Sequence, residues 1–207
     1  MPFIHQRDLH NLFSVQLWRL TESVALLKHL VSESDISLDG WDENWSCRRK
    51  REWLATRLLL QRWGISGLSY QGDGKPYCVG DTRVYSVSHS TEMVAVGRTE
   101  LPFFGIDIER IDPRVLRLLP KYASSEEQLP GRQSEAHATL IWAAKEAVFK
   151  AVPEAGIDFK SMLAVNLQGD ISAPEASVVF RREATLREFR IHYFNYSDHF
   201  LACAVPI

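Results

Sequence analysis

Residues 134–152, SEAHATLIWAAKEAVFKAV, constrain the fold more than any other stretch of the chain. The run starts with polar Ser134 and Glu135, is rich in Ala, the best helix former, and stops at Pro153. A long helix is the reading that satisfies all three features. On it Trp142, Glu146 and Lys150 lie four residues apart and therefore share one face. A Glu–Lys pair at that spacing is common on surfaces and worth only about 0.2–0.5 kcal/mol. By itself it leaves a plain solvated face as the simpler reading.

The rest of the chain supplies partners for such a helix. A strand is expected within His10–Leu20, then a helix over 21–30 capped by Thr21, with Val24, Leu27 and Leu30 on one side. A second long helix is expected from about Trp45 to Trp63, ending at Gly64. Tyr70–Tyr77 is a turn cluster, and Val84–Ser88 and Glu92–Arg98 flank His89-Ser90-Thr91 as a hairpin. The strand FFGIDIE follows, and DPRVLRLLPKY reads as a short helix. After the Ala-rich helix come four strand candidates, SMLAVNLQGD, ASVVF, LREFRIHYF and HFLACAVPI, with turns at Gly169–Asp170 and Ser197–Asp198. The segments SVSHSTEMVAVG and YFNYSDHFLACAVP each run strand, polar turn, strand, and each follows a long helix. This echo suggests an α+β protein made of two halves, 1–100 and 101–207, although the identity between the segments is low enough to arise by chance.

Composition narrows the function classes. The 207 residues carry a formal net charge of -2, which argues against a strongly basic nucleic-acid binder. Cys47, Cys78 and Cys203 form no short-spaced motif, so neither a disulfide framework nor a structural zinc site is expected. The N-terminal residues lack the basic start and apolar core of a secretion signal, and no run approaches the length of a membrane span. A cytoplasmic protein is the expectation.

The strand FFGIDIERID, residues 103–112, places Asp107 and Glu109 on one face and Ile106 and Ile108 on the other. Burying two carboxylates is costly. Either that face meets water, or a cation sits on it, and oxygen ligands suit Mg²⁺. Glu146 would supply a third oxygen, Lys150 a phosphate-holding cation, and Lys145 a further cation. Elsewhere, SCRRKREWLATR sets Arg48, Arg49, Lys50, Arg51 and Arg57 at or near the start of a helix. Such cations oppose the helix dipole unless they are solvated or bind an anion. His89 in its turn reads first as a surface residue, and Gly74-Lys75-Pro76 as a plain hairpin loop carrying one cation.

Four stretches in this order, GKPY from Gly74, SVSHS from Ser86, GIDIE from Gly105 and WAAKEAVFK from Trp142, resemble the 4'-phosphopantetheinyl transferases of the Sfp type. The last two together are the specific part. The resemblance implies a pseudo-twofold pair of similar halves, each a long helix packed on a small antiparallel sheet, with the cofactor between them. It implies transfer of 4'-phosphopantetheine from coenzyme A to a serine of an apo acyl or peptidyl carrier protein. The metal ligands for Mg²⁺ would be Asp107, Glu109 and Glu146. Lys150 would hold the diphosphate and assist the leaving group, and Lys145 belongs to the same motif. His89 would contact the 3'-phosphate of coenzyme A, and Lys75 and Pro76 its nucleotide. Arg51 is the chosen basic partner of the 3'-phosphate, with Lys50 and Arg49 as substitutes. The proton acceptor would be Glu146 or a water. Either Glu126 or Glu127 would match a further acid of the family. The stretch Lys121–Glu135 would be a lid, a docking segment or a plain surface connection. A monomer is expected, with no nucleic acid or membrane as partner. Two rival readings stand beside it: an Mg²⁺-dependent hydrolase of a nucleotide diphosphate, which would share the acids and cations, and a non-catalytic homologue that keeps the fold and binds a carrier protein without metal dependence.

Overall fold

A computed structural model describes residues 4–9, 11–34, 36–72, 74–128, 134–169, 171 and 174–207. They fall into two compact units, Met1–Glu100 and Leu101–Ile207. Both units are α+β, with helices against small antiparallel sheets.

The first unit opens with a hairpin, β1 (Ile4–Leu9) and β2 (Phe13–Arg19). The strand expected over His10–Leu20 is thus the second arm of a hairpin whose first arm, polar along IHQRDL, carries no hydrophobic alternation. His10 lies outside the described residues. Helix α1 (Val24–Glu33) follows, and α2 spans Cys47–Gln61. The cap of α1 is Ser23 rather than Thr21: the Ser23 hydroxyl accepts from Leu26 N–H at 3.2 Å. Glu22 ties back to the chain before it, accepting from Trp18 Nε1 at 2.9 Å and from Thr21 N–H. Gly64, at φ +73°, takes the left-handed turn just past α2 as its position suggested. A two-residue ladder, β3 (Ser69–Tyr70) with β4 (Pro76–Tyr77), precedes β5 (Val84–His89) and β6 (Met93–Thr99). The main sheet has the order β1-β2-β6-β5. Helices α1 and α2 bury Leu27, Val31, Leu54, Leu58 and Leu59 in a core shared with Trp18, Val94 and Val96 of the sheet. Glu52 and Thr56 are buried on α2 as well, so its apolar stripe is broken.

The second unit starts with β7 (Gly105–Arg110), followed by α3 (Arg114–Tyr122), α4 (Glu135–Ala151) and α5 (Phe159–Met162). Four strands complete it: β8 (Leu163–Gln168), β9 (Glu175–Arg182), β10 (Thr185–Tyr196) and β11 (His199–Pro206). Their order is β7-β11-β10-β9-β8, all antiparallel. Ser197 and Asp198 form the tight turn joining β10 to β11, with Ser197 at φ +61°. Gly169, at φ +80°, turns the chain after β8, while its expected turn partner Asp170 lies outside the described residues. Among the described residues no helix is long and apolar enough to cross a membrane.

Helix α4 begins at the Ser134 cap and ends at Val152, whose extended conformation (ψ 144°) suits the residue before a proline. Its Ala143, Ala144, Ala147 and Ala151 pack with Ala202 and Ala204 of β11. These small side chains let the helix come close to the sheet, and Gly105 makes the approach closest. A Cβ at Gly105 would lie 1.9 Å from the Ala147 carbonyl oxygen and 2.8 Å from the Ala151 nitrogen. Those are backbone atoms and cannot swing aside. Replacing Gly105 by Ala is therefore expected to push α4 away from β7 and destabilise the protein by about 1–3 kcal/mol. Urea denaturation followed by circular dichroism measures this, and a variant as stable as the parent would disprove the contact.

Candidate active site

The close approach of α4 to β7 assembles the second unit's polar cluster. In the β7–β11 ladder Asp107 lies opposite Ala202 and Glu109 opposite Phe200, so both acids share the face on which α4 packs. Ile106 and Ile108, on the opposite face, are fully buried. Asp107 is only 3 % exposed. Its Oδ1 accepts from Lys150 Nζ at 2.6 Å, and the same ammonium donates to the Ile106 carbonyl at 3.1 Å. Lys150 thus reaches from the last turn of α4 to the strand, where its charge also complements the helix C-terminus. Glu109 is half-buried, and its Oε1 accepts from Trp142 Nε1 at 3.1 Å. The Trp142 ring is held edge-on by Tyr122 and lies against Phe159. The helical face carrying Trp142, Glu146 and Lys150 is therefore the face that meets the acidic strand.

The electrostatics record how tightly the acids are gathered. Burial pushes the Glu146 carboxyl up to about 7, and the Asp107 charge adds to the shift, while Lys150 opposes it. Glu109 is likewise pushed up to about 7, first by burial and then by the Asp107 charge, against the Trp142 hydrogen bond and Lys150. Among the described residues no three His, Cys, Asp or Glu side chains are drawn together as a ready-made metal site. Asp107 instead faces Lys150, and Glu109 faces Trp142. The donor set nonetheless fits Mg²⁺: it is oxygen only, and two of its members carry a repulsion that a divalent cation relieves.

Lys145 does not join this cluster. It is fully buried, and its ammonium donates to Glu127 Oε2 at 2.7 Å, to the Tyr122 carbonyl at 2.8 Å and to the Phe159 carbonyl at 2.9 Å. Sequence left Glu126 and Glu127 equivalent. The structure separates them, with Glu126 exposed and Glu127 buried against Lys145. Of the segment Lys121–Glu135, residues 129–133 lie outside the described residues.

In the first unit His89 ends β5 and is exposed. Its Nδ1 lies 3.6 Å from Glu52 Oε1, and that oxygen accepts from Arg48 Nε at 2.7 Å. The residue joined to His89 through Glu52 is thus Arg48, while Arg51 sits half-buried on α2. Lys50 is engaged by Glu43 and stacks on Trp41; Arg49 stacks on Trp45 and Arg57 on Trp53. Lys75 closes the β3–β4 turn, its carbonyl accepting from Gln71 N–H at 2.8 Å, and Pro76 begins β4. Sequence reasoning passed over Glu52. The available signal was a lone acid four residues after Arg48, in a helix whose other charged residues are all basic.

The comparison with known families bears on the acidic cluster. Residues 103–204 match the 4'-phosphopantetheinyl transferase superfamily. The match supports membership of this chain in that superfamily and, with it, phosphopantetheinyl-transfer chemistry in general. It takes in Asp107, Glu109, Glu146 and Lys150, and it leaves Arg51, Lys75, Pro76 and His89 outside. No curated protein matches the chain.

The raised carboxyls fix a dependence on pH. The folded state holds protons on Glu109 and Glu146 up to about pH 7, whereas the unfolded chain releases them near 4.5. Their contribution to stability therefore falls as pH rises from about 4.5 to 7. Mg²⁺ should counter this loss, stabilising the protein more at pH 8 than at pH 5, by about 1.4 kcal/mol at ten times its dissociation constant. Thermal unfolding at the two pH values, with and without Mg²⁺, tests the effect, and Glu146→Gln should flatten the pH slope. An equal Mg²⁺ response at both pH values would refute the assignment.

Proposed function

We propose that the protein transfers the 4'-phosphopantetheine group of coenzyme A to a serine of an apo acyl or peptidyl carrier protein, in an Mg²⁺-dependent reaction that releases adenosine 3',5'-bisphosphate. The observation that carries this reading is the α4–β7 contact. It brings three carboxyl groups and one ammonium within reach of one another's charge, inside the segment that matches the superfamily. The finer architecture, a pseudo-twofold pair of similar halves, belongs to the same proposal and is supported by the helix-on-antiparallel-sheet plan of each unit.

In the reaction the serine oxygen forms a bond to the phosphorus that bears pantetheine. The bond from that phosphorus to the bridging oxygen breaks, and adenosine 3',5'-bisphosphate leaves with the electron pair. Asp107, Glu109 and Glu146 would hold Mg²⁺, which supplies positive charge to the diphosphate when bound. Lys150, beside Asp107, would offset charge on the departing phosphate. The serine proton needs an acceptor, either Glu146 or a water; a divalent cation on Glu146 would lower its basicity and favour the water. In the first unit His89 would bind the 3'-phosphate, with Arg51 or its basic neighbours. Lys75 and Pro76 would lie against the nucleotide.

Incubation with coenzyme A, Mg²⁺ and an apo carrier protein should raise the carrier mass by one phosphopantetheine group, read by intact mass spectrometry. Consumption of coenzyme A without any mass gain, across several carriers, would identify a hydrolase instead. Asp107→Ala should abolish transfer while leaving the fold intact, and undiminished transfer would refute the metal role. His89→Ala should weaken the use of coenzyme A but not of dephospho-coenzyme A, which lacks the 3'-phosphate. Equal losses with the two substrates would refute the contact.

A further inference from the structure

Lys145 poses a problem that the reaction does not answer. An ammonium sealed where α4 meets the α3 and α5 segments costs more than the Leu or Met that would fill the same space. Its three acceptors come from Tyr122 at the end of α3, Glu127 in the segment after it, and Phe159 at the start of α5. Glu127 extends the web, accepting from Val165 N–H of β8 and from Ser124 N–H, each at 2.7 Å. One side chain on α4 is thereby tied to three other segments by directed bonds.

Those bonds hold α4 on a side other than the one it turns to β7 and β11. The face that α4 turns to β7 and β11 is rich in Ala, with Leu140 and Val148 at its margins, and meets Gly105. Such a face allows close approach but gives limited resistance to rotation, because it has few large knobs to lock into holes. Glu146 follows Lys145 directly, and Lys150 stands five residues on. At a side-chain radius of about 5–6 Å, a turn of about 10° moves a tip by about 1 Å, and a 1 Å misplacement costs up to about 100-fold in rate. We infer that the buried Lys145–Glu127 pair is a positioning device: it sets the rotation of α4 and thereby aims Glu146 and Lys150 at the Asp107–Glu109 strand. Lys145 is then no ligand of coenzyme A. The catalytic consequence rests on the function proposed above; the geometric one does not.

The test uses Glu127→Gln/Lys145→Met, which removes both charges together, and Lys145→Arg, which keeps the charge in a different shape. The expected result for the folded double variant is a fall in kcat of at least about tenfold, with KM for coenzyme A within about twofold of the parent. Lys145→Arg should recover part of the loss. A third readout needs no substrate. The Trp142 indole N–H, bonded to Glu109, should exchange with solvent faster in both variants by NMR, its signal assigned with Trp142→Phe. An unchanged indole and an unchanged kcat in either variant would make the pair a structural contact only and overturn the inference. A raised KM with an unchanged kcat would overturn it in favour of direct cofactor binding. Should the double variant fail to fold, Lys145→Arg decides by the same criteria. If the parent transfers nothing, the function proposed above fails, and the indole exchange still decides the positioning role.

Discussion

The second unit depends on how closely α4 can lie on β7. Gly105 is the position where the helix backbone sits in the space of a missing side chain, and the Ala residues of α4 extend that contact along the sheet. The contact removes water from Asp107 and crowds Glu109 and Glu146 into reach of its charge. Two carboxyls near 7 and a lysine bound to Asp107 follow from that geometry. A helix held farther away by larger side chains would leave the same acids solvated, and their titration would be ordinary.

The two lysines of this helix show how position decides role. Lys145 and Lys150 belong to one short motif and carry the same charge. Lys150, at the last turn, is partly exposed and faces Asp107. Lys145 lies where α4 meets the α3 and α5 segments, so it is buried and consumed by acceptors that no small ligand can displace cheaply. Glu127 and Glu126 divide in the same way, one inside the web and the other in water. In each case the side chain is identical or nearly so, and the environment assigns the work.

The elements themselves were legible because their signals are local. Ser134, the Ala run and Pro153 delimit α4 within one residue of its observed span, and Gly64 marks the turn after α2. The strands of the second unit follow from alternation and turn residues. The first strand was missed because an almost wholly polar edge strand has no apolar period to detect. The cap of α1 was misplaced because Thr21 and Ser23 are both suitable residues, and the choice depends on Glu22 bonding back to Trp18. The acids of the site were legible from their spacing on β7 and α4. Glu52 was not, since its meaning comes from His89, which is distant in sequence and adjacent only after α2 packs on the sheet.

Sequence alone determined the period of each element, the shared face of Asp107 and Glu109, and the stacking of Trp142, Glu146 and Lys150, because these depend only on the repeat of a strand or a helix. Tertiary structure decided which of the chemically similar groups meet: Lys150 with Asp107, Lys145 with Glu127, and Arg48 and His89 through Glu52. Those pairings depend on the distance and rotation at which elements pack, and no local repeat contains that information.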